Sequence, residues 1–180
     1  MKKLIVLGLA VITMAACQQE QRYFAESAET KTLEAGIIAY EGGDWDQWRS
    51  GFADTAKIYV NSKDAMSVDE RLENLKGMAA AFSSYGFDKE DDHIEMVVDK
   101  EDETWVYYWA QHNATLTNGK NIGNPVHLAV QFAEGKIVAE HVYFDGTELN
   151  AEITAMNQPE EVSEESQDDD SDGDGDGDEN

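Results

Sequence analysis

The chain has 180 residues, 38 acidic and 13 basic, for a formal charge of −25. That length suits one domain with tails, and a single cysteine leaves no disulfide framework. So negative a chain repels nucleic acid and anionic lipid headgroups, which excludes a nucleic-acid partner. The charge is uneven: 12 of the acids and no base lie between Pro159 and Asn180, and once Lys2 and Lys3 are set aside the remainder holds 26 acids against 11 bases, about −15.

The chain opens with Met1-Lys2-Lys3, an apolar run over 4–14, two small residues and Cys17. The run is short for a bilayer span and has the three parts of a secretory signal, so residues 1–16 are expected to be cleaved. Met14-Ala15-Ala16-Cys17 resembles the bacterial lipobox, with Met in the first place as a departure from the usual Leu. The resemblance implies that Cys17 is acylated and leads the mature chain. Gln18 follows it, where many inner-membrane lipoproteins carry Asp, and this implies an outer-membrane address in the bacterial cell envelope. Several acyl chains on one terminus give stable anchoring. An ordinary signal-peptidase site is the alternative.

Residues 17–24 form a polar tether, and the folded domain is expected over 25–156. Its first helix, 25–40, carries Leu33, Ile37 and Tyr40 on one stripe. A short helix over 44–50 starts at Asp44 as N-cap and stops at Gly51, with Trp45, Trp48 and Phe52 on its inner side as core or as cavity wall. A strand over 55–61 puts Ala56, Ile58 and Val60 on one side. Ser67 and Glu70 form a capping box that opens a long helix, its stripe Val68, Leu72, Leu75, Ala79 and Phe82, closed by Gly86. Strands follow at 93–98, 105–116, 126–132 and 137–144, and a last short helix at 147–156. Strict alternation over 126–132 marks a sheet with one buried face. Helices gathered on one face of an antiparallel sheet make an α+β fold.

Phe52-Ala53-Asp54-Thr55-Ala56, the Asn118-Gly119-Lys120 hairpin, and Gly135-Lys136-Ile137-Val138 ending in Tyr143-Phe144-Asp145 resemble, in that order, the entry strand, hairpin and closing strand of the nuclear-transport-factor-2-like superfamily, its SnoaL-like branch above all. The resemblance implies a cone: a bent antiparallel sheet wrapped on a long helix, with a pocket at the wide end. It also implies a homodimer joined through the outer face of the sheet.

The turn at Ala133-Glu134-Gly135 is expected to be a three-residue loop with Gly135 left-handed, which spares Glu134 a positive φ. That register pairs Val130 with Val138, Leu128 with Glu140, Val126 with Val142 and His127 with His141. It turns Glu140 inward and the two histidines outward. Even pairing across 117–123 points Tyr108 and His112 inward; a one-residue slip would present Tyr107, Trp109 and Gln111 instead. The expected pocket wall is Trp48, Phe52, Ile58, Val60, Tyr108, His112, Leu128, Glu140 and Val142.

The resemblance also locates the chemistry of the family. Its ketosteroid-isomerase branch places a general-base Asp at Val60 and an oxyanion-hole acid at Leu128, and polyketide cyclases place an acid/base Asp at Val142. All three are apolar here. A proton shuttle needs a titratable group within hydrogen-bond reach. Two inward groups remain as catalytic candidates. Glu140 is either a carboxylic acid with a raised pKa or a solvated, lysine-paired rim residue. His112 is either a ligand or Glu140 partner, or a satisfied structural histidine. His127 and His141 are expected at the surface or an interface, and no three-histidine metal site and no cofactor are expected.

The acidic tail, 157–180, has the composition of a disordered segment. Asp168, Asp170, Asp172 and Glu179, with Gly173, fit one frame of a calcium loop, and an Asp-Gly tract also fits such a frame by chance. The tail is either a weak calcium binder or a solvating, repulsive tail. The leading expectation is an envelope lipoprotein that binds a small, largely apolar molecule without chemistry. The alternatives are an isomerase-, cyclase- or dehydratase-type enzyme using Glu140 and His112, and a dimeric interaction module with a vestigial pocket.

Overall fold

The computed structural model describes residues 20–157. Cys17, the signal over 1–16 and the tail residues Asp168, Asp170, Asp172 and Glu179 lie outside the described residues.

The elements run β1 (Tyr23–Phe24), α1 (Ala28–Gly42), α2 (Trp45–Ser50), β2 (Phe52–Val60), α3 (Val68–Ala79), β3 (Phe82–Phe87), β4 (His93–Val98), β5 (Thr104–Leu116), β6 (Asn121–Ala133), β7 (Lys136–Phe144) and α4 (Thr147–Met156). The seven-stranded sheet has the order β1-β4-β5-β6-β7-β2, with β3 beside the far half of β5. It is mixed: β2 runs parallel to β7, which corrects the all-antiparallel expectation. The helices cover one face, and the core joins Leu33 and Ile37 of α1 and Val68 and Leu75 of α3 to Val106, Leu128 and Val130 of the sheet.

Caps set the helix bounds. Ser27 accepts from the Glu29 and Thr30 amides while Thr30 returns a bond to the Ser27 amide, so α1 starts three residues later than its stripe suggests. Gly43, at φ 67°, ends it with a left-handed residue. The Ser67–Glu70 capping box is present and opens α3. The expected continuation of that helix to Gly86 is not. α3 stops at Ala79, and Phe82–Phe87 pairs with Leu116–His112 of β5. A register shift between Phe82 and Ser84 lets Phe82, Tyr85 and Phe87 all meet the core despite uneven spacing. The tether also contributes: Tyr23 and Phe24 pair with Val97 and Met96, and Arg22 donates to the Asp99 carbonyl and the Asp102 carboxylate.

The β6–β7 turn differs from its expectation. It is a two-residue turn closed by Ala133 and Lys136, with Glu134 at φ 52° and Gly135 at φ 75°. A bulge then absorbs Val138, so Val130 faces Glu140, Leu128 faces Val142, Val126 faces Phe144 and His127 faces Tyr143. The tight turn and the bulge each shift the register by one residue, so every expected pair moves by two residues along β7 and the alternation returns to its expected phase from Glu140 on. Glu140 therefore still points inward, Ile137 replaces Val138 on the inner side, and His141 lies opposite Ala129.

Candidate functional site

Between α1, α3 and the inner face of the sheet lies an apolar cavity. Of its expected wall, Trp48, Phe52, His112, Leu128, Glu140 and Val142 line it. Three do not. Ile58 is fully buried in the core beside Glu140 in the parallel pair, Val60 packs against the same core, and Tyr108 is buried with its hydroxyl donating to Asp92 at 3.3 Å. Helix α1 supplies Leu33, Ile37 and Tyr40, and α3 supplies Arg71, Leu75 and Met78. The space open to the centres of water-sized molecules is ≈ 100 Å³. An apolar cavity of about 150 Å³ holds benzene, so this one suits a molecule of a few heavy atoms.

The even pairing that turns His112 inward holds: Tyr108 sits opposite Leu128 and His112 opposite Asn124. His112 Nε2 lies 3.0 Å from the Tyr40 hydroxyl and is ringed by Phe82, Tyr85 and Phe87. Burial holds its pKa down at about 4 against the weaker pull of Glu41, so the ring is neutral near pH 7. It is not bonded to Glu140. Burial likewise raises the Tyr40 phenol, with Tyr85 adding to it. Tyr40 in turn accepts at its carbonyl from Tyr85, 3.1 Å away.

Glu140 is neither solvated nor paired with a lysine. It is 5% exposed, and its Oε2 has no hydrogen-bond partner among the described residues. Burial raises its pKa, and the charge of Arg71 opposes that rise. Arg71 itself has a buried Nε without a partner among the described residues, and its guanidinium pKa is lowered by burial against the pull of Glu140. Arg71, Tyr40 and Asn124 are cavity residues absent from the expected wall. Arg71 had a signal: Val68, Arg71, Leu75 and Met78 follow i, i+3, i+7 and i+10, an inward stripe with one charged member. Asn124 is buried, and its amide satisfies its surroundings when the nitrogen is assigned to the side facing the Asp145 carbonyl, 2.9 Å away, and the Gly123 carbonyl.

The outer face of the sheet carries the other histidines. His127 stacks on Trp109 with centroids 4.6 Å apart, and His141 stacks on Tyr59 at 4.5 Å. Trp109 and Tyr143 are 40% and 49% exposed. Among the described residues no three His, Cys, Asp or Glu gather to hold a metal ion, and no helix is long and apolar enough to cross a membrane.

No protein-family model and no curated protein matches the sequence. Solved structures do match. AclR from Streptomyces galilaeus, provisionally named a hydroxylase, is 14% identical over 76% of this chain and 88% of its own, with a TM-score of 0.58. An NTF2-like protein of unknown function from Burkholderia pseudomallei is 14% identical over 72% of this chain and 99% of its own, TM-score 0.57. The chain has the NTF2-like fold. A provisionally named SnoaL-like polyketide cyclase from Jannaschia shares that fold with 16% identity, 78% of this chain and 99% of its own, TM-score 0.55. At such identities the likeness is one of fold, and the chemistry of the NTF2-like cavity must be argued from its own residues.

Proposed function

We propose that the NTF2-like domain binds a small, largely apolar molecule in its cavity without transforming it. The observation that carries this is the state of the two candidate catalysts. His112 is neutral and engaged by Tyr40, and it shares no hydrogen bond with Glu140. Around them Leu128 and Val142 stand where the resemblance puts acids in catalytic relatives. The binding protein is read here as a cell-envelope lipoprotein, anchored at the outer membrane through Cys17, and as a homodimer joined through the exposed aromatic face around Trp109 and Tyr143. Native mass spectrometry of the protein purified gently from its host tests the binding and the dimer: a retained small molecule supports the binding reading, an empty cavity after incubation with host lipid extract counts against it, and a monomer mass counts against the dimer. Metabolic labelling with a palmitate analogue should mark the chain and fail on Cys17→Ser.

The second reading is a SnoaL-like isomerase-, cyclase- or dehydratase-type enzyme. Glu140 favours it, as a buried carboxyl with a raised pKa on an apolar wall. The two part on one substitution. A binder carrying Glu140→Gln keeps its ligand-induced rise in melting temperature, whereas an enzyme loses turnover. A dimeric interaction module, the third reading, would tolerate Glu140→Gln and fall apart with Tyr143→Asp.

A further inference from the structure

We propose that the ligand carries one carboxylate on a short apolar body, and that Arg71 and Glu140 together hold that carboxylate inside the cavity. The inference rests on the binding reading above and names its ligand class. Arg71 reaches the cavity from α3 and Glu140 from β7, so the two groups come from opposite walls of one space. Each leaves one buried polar atom, Arg71 Nε and Glu140 Oε2, without a hydrogen-bond partner among the described residues. A buried polar group left without a partner is costly, and native chains leave few of them without a reason. The two do not satisfy each other, although each feels the other's charge.

The donor set selects the head group. Arg71 offers a cationic, planar fork with no acceptor. Burial favours the protonated carboxyl of Glu140, which then offers one O–H donor. Two donors and a single positive charge match a planar, acceptor-only anion of charge −1, which is a carboxylate. An alcohol supplies only part of that acceptance, and an ammonium meets a like charge. The rest of the wall, Leu33, Ile37, Trp48, Phe52 and Leu128, asks for hydrocarbon. The ≈ 100 Å³ of room asks for a short chain. The setting sharpens the point. In a chain of charge −25, a scarce cation is placed in an apolar cavity rather than among the surface acids.

Isothermal titration of the full-length chain at pH 7 with propanoate, propan-1-ol and propylammonium, each small enough for the cavity, tests this. Propanoate should bind at least tenfold tighter than propan-1-ol, and propylammonium weakest. Arg71→Met should bring propanoate down to the affinity of the alcohol and leave the alcohol unchanged. Glu140→Gln keeps a donor and should keep most of the preference. Equal binding of propanoate and propan-1-ol overturns the carboxylate inference and leaves the binding reading standing; no binding of any of the three overturns both. Should Arg71→Met fail to fold, the wild-type protein still decides, because the Arg71 Nε–H resonance must shift as propanoate saturates. An unmoved resonance overturns the assignment.

Discussion

Two polar pairs share one cavity and differ in how they are finished. Tyr40 and His112 close on each other at 3.0 Å, and the Tyr40 carbonyl accepts a further bond from Tyr85. Arg71 and Glu140 line the same space, and each keeps a buried polar atom without a partner among the described residues. The first pair holds α1 to β5 and β3. The second holds nothing to anything by a hydrogen bond, although α3 and β7 bring it together. Burial of a polar side chain is therefore a poor sign of function by itself. The unmet partner is the better sign, since a closed pair has already spent its donors and acceptors on the fold.

Acid should break the closed pair first, and with the largest effect. The folded His112 value of about 4 lies below the ordinary 6.5. Between those values the unfolded chain binds more protons than the folded one, so the contribution is present above pH 6.5 and is lost as pH falls to 4. At 1.36 kcal/mol per unit it amounts to roughly 3 kcal/mol. Urea titrations from pH 7 to 4 should show that loss in the wild type and a flatter profile in His112→Gln. Equal slopes would mean that His112 charges freely in the folded state.

The open pair predicts the opposite kind of result. Replacing buried, unsatisfied polar groups by apolar groups of similar size is often stabilising, here by about 2 kcal/mol for the double variant Arg71→Met/Glu140→Leu. Because the folded Glu140 pKa is raised, its penalty is absent below the ordinary 4.5 and grows as pH rises through the folded value. The gain of the double variant in melting temperature should grow with it, and propanoate preference should vanish. A less stable double variant would make the pair a structural clasp. Tyr40→Phe is the matched change at the closed pair. It leaves His112 Nε2 short of its partner and should cost about 1 kcal/mol in denaturant melts.

How much of this was legible follows from which signals were local. Alternation along β6, the Ser67 capping box and the Asp44 cap are written in neighbouring residues, and all three are present. The inward phase of His112 and Glu140 also follows from alternation. β3 was hidden because a register shift spoils its period, and because Phe82 falls on the stripe of the preceding helix. The parallel partner of β2 was hidden because nothing local records which edge strand it joins. Arg71 hides beside Leu72, which packs against the same core, so the apolar stripe of α3 reads complete without its charged member. The closure of Tyr40 on His112 spans 72 positions and leaves no trace in either segment.

The β6–β7 turn yields the smallest prediction and joins the two themes. Its two residues both have positive φ, 52° at Glu134 and 75° at Gly135. A hairpin turn of that kind favours Asn-Gly, because Asn tolerates the left-handed region better than Glu does. Glu134→Asn should therefore stabilise the fold by about 0.5 kcal/mol, read as a higher urea midpoint at unchanged slope. The bulge at Val138 lies between this turn and Glu140, and the pairing of Val130 with Glu140 is fixed beyond it. Strengthening the turn changes no register, so the variant should bind propanoate as the wild type does. A changed affinity would mean that the native turn and bulge exchange with the three-residue alternative, in which Glu140 faces Leu128 instead, and that the open pair in the cavity is set by that exchange.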